Sequence, residues 1–358
     1  MDKTQEENNR QDGQSIKVSV LVAVYNTAHY LRKCLDSLCN QTLADFEAIC
    51  VDDGSTDGSR AVLEQYTQTD HRIKLIGLDK NMGLSHARNL ALEKARGKLI
   101  CFLDSDDWLS EDALEKAVEA MEKDPQTDCV LFRCLNYYGS TDSNHKETEP
   151  YPMDTFEMMT GKEAFKLSLT WKIHGIYMAK SEIQRAFPYD ESRRAYSDDN
   201  TTRLHYLHSR HVRCCEGIYY YRQHAGSLTH SVTPRRFDYM HANESMKKQL
   251  HDLHADKGIL DIYEKVRWLV LVDTYMFYYQ NRSKLPVQDT QKEMKELRRL
   301  WLTIETDRLP MRLKSKFGYM PFRGKRGLFP HGLGWLLFRL QEEVYFFLRS
   351  LLYAHKRN

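Results

Sequence analysis

Leu99-Ile-Cys-Phe-Leu-Asp104-Ser-Asp106-Asp107-Trp108 decides the reading of this chain, because a short apolar run delivers three carboxylates to one strand end. Carboxylates grouped in that way suit a hard cation. Upstream, a second strand-like run, Phe46-Glu-Ala-Ile-Cys-Val51, ends in Asp52-Asp53-Gly54-Ser55-Thr56-Asp57-Gly58-Ser59. Two units of one sheet thus bring acids to the same rim, and in open α/β sheets that rim is where ligands bind. Single acids at such turns more often cap the next helix. Two clusters in successive units go beyond what capping needs.

Working outward, short apolar strands alternate with amphipathic helices from Lys17 to about Asn136. The pattern predicts strands at Val18–Val24, Phe46–Val51, Ile73–Gly77, Leu99–Leu103 and Cys129–Asn136. Between them it predicts helices at Tyr30–Leu38, Ser59–Tyr66, Leu84–Ala95 and Glu111–Lys123, the last with Ser110 as N-cap and Asp107 as a second capping candidate. This alternation implies an α/β fold with a Rossmann-like, mostly parallel sheet flanked by helices. Gly139–Met159 is polar and reads as a long loop. Gly161–Arg222 mixes helices with short strands, and Phe237 to about Thr306 reads as helical, with Trp268–Val272 as its buried stripe. The expected organisation is a polar, disordered stretch over 1–15, a domain over 16–235 with halves at 16–136 and 137–235, and a helical C-terminal extension over 236–358.

The chain has 358 residues and a formal charge of +2, which gives no general reason to expect a nucleic-acid partner. Its eight cysteines sit in apolar or amphipathic stretches without a CxxC pair, so they read as reduced thiols of a cytoplasmic protein rather than a zinc site. Met1–Ser15 lacks the apolar segment of a signal peptide. No apolar run is long enough to span a bilayer. The tail is distinctive: Arg312, Lys314, Lys316, Arg323, Lys325 and Arg326 are interleaved with Phe317, Tyr319 and Phe322 and no acid. An amphipathic stretch, Trp335–Tyr353, follows. Such a segment can lie on an anionic membrane surface or dock on the protein core.

Five motifs make a resemblance specific. Val18-Ser-Val-Leu-Val-Ala-Val-Tyr25-Asn26, Asp52-Asp53-Gly-Ser-Thr-Asp, Asn81-Met-Gly83-Leu-Ser-His-Ala-Arg88-Asn89, Asp104-Ser-Asp106-Asp107 and Tyr221-Arg222-Gln-His224-Ala-Gly-Ser227-Leu-Thr229 occur in this order. Over about Lys17 to His230 the chain resembles family 2 glycosyltransferases of the bacterial surface-polysaccharide type, which implies a GT-A fold. The resemblance implies a UDP-sugar donor. Tyr25, beside the small Ala23 and Asn26, would stack on a pyrimidine, and Asp53 would accept from the uracil imide. Gly83 and Arg88 open a helix from which the cation could reach base or phosphate. Asp104 would take the ribose, with Ser105 beside it, and Asp106 the metal, Mn²⁺ or Mg²⁺. Arg222 would pair with a phosphate and His224 would complete the metal's coordination, on a late loop with Ser227 and Thr229. Trp108 would wall the donor sugar.

Inverting transfer needs a carboxylate base for the acceptor hydroxyl. The resemblance places it in Tyr196-Ser197-Asp198-Asp199-Asn200. Matching Ser-Asp to the family's Glu-Asp picks Asp198; matching Asp-Asp-Asn to Glu-Asp-Asn picks Asp199, the slightly favoured register. Trp171, His174 and Gly175 fall where the family contacts acceptors. The implied reaction moves a hexose or N-acetylhexosamine from UDP to a hydroxyl of a saccharide or lipid-linked saccharide. A sugar-nucleotide pyrophosphorylase would share the sheet, but it would carry a Gly-rich loop after the first strand, and Val24–His29 has no glycine. A catalytically inactive scaffold would have no need of Asp53, Asp104, Asp106 and the acidic pair together.

Overall fold

The computed structural model describes residues 16–139, 146–153, 155–191, 197–224, 232–314 and 331–355. The expected disordered stretch over 1–15 lies outside them, as do Tyr196, Ser227 and Thr229. The chain divides into two compact units, residues 1–227 and 228–358.

The first unit begins as the sequence pattern requires. Strand β1 (Val18–Val24) is followed by helix α1 (Ala28–Cys39), β2 (Phe46–Asp52), α2 (Ser59–Thr69), β3 (Ile73–Gly77), α3 (Leu84–Lys94) and β4 (Leu99–Phe102). β1 pairs in parallel with both β2 and β4, and β2 with β3. Side chains alternate across such a strand. Val18, Val20, Val22 and Val24 therefore face one side, where they meet Leu31 and Leu35 of α1 and Leu63 of α2. Leu21, Ile49 and Ile100 face the other, against Ala87, Ala91 and Leu92 of α3. Burial on both faces explains the nearly unbroken apolar runs.

The second half of this sheet departs from the parallel expectation. After β5 (Trp108–Leu109), α4 (Ala113–Glu122) and β6 (Thr127–Tyr137) come two short strands, β7 (Thr148–Pro150) and β8 (Met158–Thr160), inside the stretch expected to be loop. Then follow α5 (Gly161–Ser168), β9 (Tyr177–Lys180), α6 (Ser181–Ala186), α7 (Ser197–Leu207) and β10 (His211–Arg222). The sheet order is β3-β2-β1-β4-β9-β6-β10-β5, with β9 antiparallel to both β4 and β6 and β10 parallel to β6. The sheet is mixed because β9 inserts between two strands that strand-helix alternation alone would place side by side. Periodicity reports which face a strand buries, not which neighbour it takes.

The N-terminus of α4 also differs: its N-cap is Asp112. Ser110 instead hydrogen-bonds Asp112 through its hydroxyl and accepts from the Ile218 N–H, tying the loop to β10.

The second unit contains α8 (Asp238–Asp252), α9 (Lys257–Asn281), α10 (Val287–Thr303), the one-turn α11 (Met311–Lys314) and α12 (His331–His355), with 3₁₀ turns at Pro234–Phe237 and Thr306–Arg308. Trp268, Leu271, Tyr275, Leu300, Trp301, Trp335 and Phe338 form its core. The expected stripe on α9 is interrupted, since Leu269 is 44% exposed.

Candidate active site

The rim of the first unit is assembled from strand ends. At the C-terminus of β1, Asn26 adopts a left-handed conformation (φ 53°) and links two loops. Its N–H donates to Ser55 Oγ at 3.1 Å, and its side-chain oxygen accepts from the Thr56 N–H at 2.8 Å. Asparagine tolerates this conformation better than most side chains. Tyr25, next to it, is 46% exposed, as a stacking surface requires. Ala23, two residues earlier, is partly buried against the cluster of Leu21, Ile49 and Ile100.

Asp53 is buried, and its carboxylate accepts from the N–H groups of Met82 and Gly83 at 2.6 and 2.8 Å. These belong to the turn entering α3, where Gly83 takes φ +100°. The two acceptor oxygens keep lone pairs beyond these bonds. Gly54, at φ +69°, lies so close to Lys80 that an added Cβ would sit 2.6 Å from a backbone carbon, so glycine is demanded here by space as well as by conformation.

Arg88 does not present its charge to solvent. It is 3% exposed, with its guanidinium 4.2 Å from the Phe102 ring centroid and 5.3 Å from that of Tyr189. One nitrogen bonds Asp104 at 2.6 Å, and another lies 3.7 Å from Asp198, in the first turn of α7. A buried cation thus joins the DxD segment to the acidic pair. Burial and the neighbouring Asp106 push the Asp104 carboxyl up, against the pull of Arg88. Asp199 follows Asp198 on the same turn.

The remaining carboxylates have separate partners. Asp106 meets His224 Nε2 at 2.9 Å, and the backbone oxygen of Asp106 accepts from Arg222 Nε at 2.8 Å. Ser105 and Thr27 share a hydroxyl hydrogen bond at 3.0 Å. Asp107 is not a helix cap. It accepts from the Tyr219 hydroxyl at 2.8 Å and the Arg222 N–H at 2.7 Å, and burial with Asp104 and Asp106 nearby pushes it well above the usual carboxylate range. The Tyr219 hydroxyl in turn accepts from the Asp104 N–H at 3.1 Å. Sequence reasoning passed over Tyr219. The alternation of Tyr219-Tyr220-Tyr221 was the available signal, since period 2 turns one ring inward.

Arg222 and Trp108 belong to an aromatic stack. The Arg222 guanidinium lies 4.7 Å from Trp108, 5.0 Å from Tyr30 and 5.3 Å from Tyr137, and Trp108 stacks on Tyr220 at 5.0 Å. Trp108 is only 9% exposed. His224 stacks on Tyr30 at 5.1 Å.

Of the residues expected at the acceptor side, Trp171 is 37% exposed and left-handed at φ 54°. His174 is buried, its hydrogen-bonded Nδ1 facing the Ile176 N–H, and burial holds it down at about 4, hence neutral. Gly175 packs on Thr202, which an added Cβ would meet at 3.2 Å. These three do not form one open surface.

The fold and the acid-rich rim define a GT-A protein, and comparison with known proteins gives the same class. Residues 19–185 match the family described as Glycosyl transferase family 2, and this part of the chain is a family 2 glycosyltransferase domain. Glycosyltransferase GlyA of Streptococcus pneumoniae serotype 4 is 29% identical over 252 residues, covering 68% of this chain and 35% of GlyA. The poly(ribitol-phosphate) beta-glucosyltransferase of Bacillus spizizenii is 39% identical over 140 residues, 38% of this chain and 22% of that protein. The chain thus spans about a third or less of these two relatives. Among solved structures, S. aureus TarS 1–349 in complex with UDP-GlcNAc superposes with a TM-score of 0.70 at 19% identity, covering 92% of this chain and 91% of the other. That likeness shows the fold.

Proposed function

We propose that this chain is an inverting, metal-dependent glycosyltransferase that moves a hexose or N-acetylhexosamine from a UDP-sugar to a hydroxyl of a saccharide or lipid-linked saccharide in surface-polysaccharide synthesis. The observation that carries this reading is Arg88, whose buried charge contacts both Asp104 of the DxD segment and Asp198 of the acidic pair. The donor-side and acceptor-side carboxylates are thereby one assembly. The relative named for a poly(ribitol-phosphate) glucosyltransfer and the UDP-GlcNAc bound by TarS support the donor and polymer class.

In this reading Tyr25 stacks on the uracil, Asp53 accepts from its imide, and Asp104 takes the ribose. Asp106 and His224 would hold Mg²⁺ or Mn²⁺; the donor set fits a hard ion, because one carboxylate and one imidazole leave positions for diphosphate oxygens and water. When bound, that ion neutralises charge growing on the leaving UDP. Arg222, held among Trp108, Tyr30 and Tyr137, supplies a fixed cation beside it. The acceptor oxygen attacks the anomeric carbon as the bond to the diphosphate oxygen breaks, and the hydroxyl proton passes to Asp199 or Asp198. Asp198 lies 3.7 Å from Arg88 and so belongs to the Asp104 assembly; the register that matches Asp-Asp-Asn to the family's Glu-Asp-Asn favours Asp199.

We place the enzyme in the cytoplasm, on its eight unpaired thiols, with peripheral contact to the membrane. Among the described residues no helix is long and apolar enough to cross a membrane. A panel of nucleotide sugars, screened for UDP release with and without saccharide acceptors, tests the reaction. UDP-sugars alone should turn over, and Asp106→Ala or EDTA should abolish most of it. Full activity in EDTA rejects the metal; turnover of only non-uridine donors rejects the donor.

A further inference from the structure

Strand β10 is broken where it passes the middle of β6. Cys214 pairs with Leu131 and Ile218 with Arg133, so Cys215, Glu216 and Gly217 stand against Phe132 alone. Such a bulge interrupts the ladder and bends the strand. The chain between β7 and β8 crosses here, because β7 pairs with the edge of β6 away from β10, and β8 with the edge of β10 away from β6. Its Tyr151 N–H donates to the Cys134 carbonyl at 3.0 Å. Between this crossing and the bulge lies a cavity of about 630 Å³, a size usual for small-molecule pockets.

The cavity holds a buried donor with nothing to donate to. His174, which lines it, is 3% exposed. The Ile176 N–H donates to its Nδ1 at 3.3 Å, so the neutral ring carries its proton on Nε2. Burial keeps the ring neutral; the Phe132 carbonyl works against that but makes no hydrogen bond with Nε2, which has no partner among the described residues. A buried N–H left open is costly unless a ligand answers it.

The rest of the lining selects the ligand's class. Tyr151 stands edge-on to the imidazole at 5.2 Å, and the ring of Phe156 is half-buried in the same wall. The exposed lining residues carry both signs, Lys123 and Arg133 against Glu157 and Glu216. A strongly charged ligand would meet its own sign there, and a fatty chain would leave the Nε2 proton unanswered. A hydroxylated ring both donates and accepts, and its C–H face covers aromatic surface. The cavity also lies close to the rim without sharing it. From Cys134, in its lining, β6 runs to Tyr137 beside Arg222, about 10 Å at about 3.3 Å per residue. None of Tyr25, Asp53, Asp104, Asp106 and Asp198 lines it.

We propose that this cavity binds a sugar ring of the acceptor chain, away from the hydroxyl that reacts. This rests on the saccharide acceptor proposed above and gives that acceptor a second point of attachment.

The test titrates the full chain, with and without saturating UDP, with maltose, cellobiose, lactose and chitobiose, and reads binding by saturation-transfer NMR. At least one disaccharide should bind saturably, and UDP should not displace it. Phe156→Ala and Arg133→Gln should each weaken that binding by about tenfold. Arg133 is exposed, so its variant should keep the thermal midpoint even where Phe156→Ala lowers it. Absence of binding by all four sugars, displacement by UDP, or unchanged affinity in both variants overturns the inference. Dodecanoate bound in their place also overturns it, making the cavity a lipid site. Failure of the unaltered chain to release UDP from any donor would instead strike the proposed reaction and leave the disaccharide result standing.

Discussion

At the scale of single residues, the rim depends on groups whose charge is set by a few near neighbours. Asp198 and Asp199 are adjacent, yet the Arg88 guanidinium lies 3.7 Å from Asp198, so that residue's carboxylate is tied to the Asp104 assembly. Asp199→Asn should lower transfer by about 10²–10⁴ with UDP binding intact, as loss of a general base does. Asp198→Asn should weaken donor binding as well, because it disturbs the cation that orients Asp104. Steady-state kinetics with calorimetric UDP binding separates the two, and a few-fold effect in both variants removes the pair from proton transfer. Tyr219 is a positioning residue. Its hydroxyl serves the Asp104 N–H and the Asp107 carboxylate together, so Tyr219→Phe leaves both buried groups short of a partner. Urea denaturation should show a loss of about 1–3 kcal/mol. An unchanged midpoint would mean the hydroxyl carries neither bond.

At the scale of elements, the insertion of β9 is held by a charge clamp. Asp128, the second residue of strand β6, accepts from Lys180 at the end of β9 (2.7 Å) and from the N–H, Nε and Nη2 of Arg210 just ahead of β10 (2.8, 2.8 and 2.7 Å). Burial by itself would raise this carboxyl, but the hydrogen bonds from Arg210 and Lys180 outweigh it and hold it at about 2. Its unfolded value is about 3.9, so the clamp stabilises the fold by about 2 kcal/mol above that value and loses the contribution as pH falls from about 4 through about 2. Asp128→Asn should therefore destabilise the protein at pH 7 and converge with the unaltered chain only as the pH falls below about 2, towards about 1. Denaturant titrations across that range measure it, and a pH-independent difference rejects the clamp. The element boundaries themselves were largely legible. β1 and β3 have the ends their sequence patterns predicted, and β1, buried on both faces, writes itself as a nearly unbroken apolar run. The direction of β9 was not legible, since four residues carry no mark of the neighbours they pair with.

For the whole molecule, the two units differ in chemistry. All eight cysteines fall between residues 34 and 215, within the first unit, and three of the five tryptophans, Trp268, Trp301 and Trp335, are buried in the second. Burial pushes the thiols of Cys50 and Cys134 up to about 12, and that of Cys39 to about 11. Alkylation at pH 8 should be slowed by about 10² or more in the native chain and proceed at all eight sites after unfolding. Mass spectrometry during a denaturant series then reports the opening of the first unit, while indole fluorescence is weighted toward the second. Rapid native labelling at Cys50 or Cys101 would contradict the packed sheet.

The sequence by itself determined the strand-helix order, the two acid-rich turns and the family they resemble. Each depends on residues near one another in the chain, where spacing directly sets which face or loop a side chain joins. Only the tertiary structure decided that Arg88 is buried between Phe102 and Tyr189 rather than open to a ligand, and that Asp107 answers to Tyr219 rather than to a helix end. Those partners lie from 14 to 112 residues away in the chain. Contacts at such separation are fixed by how strands choose neighbours, and that choice is an energy of the whole sheet, not of any segment within it.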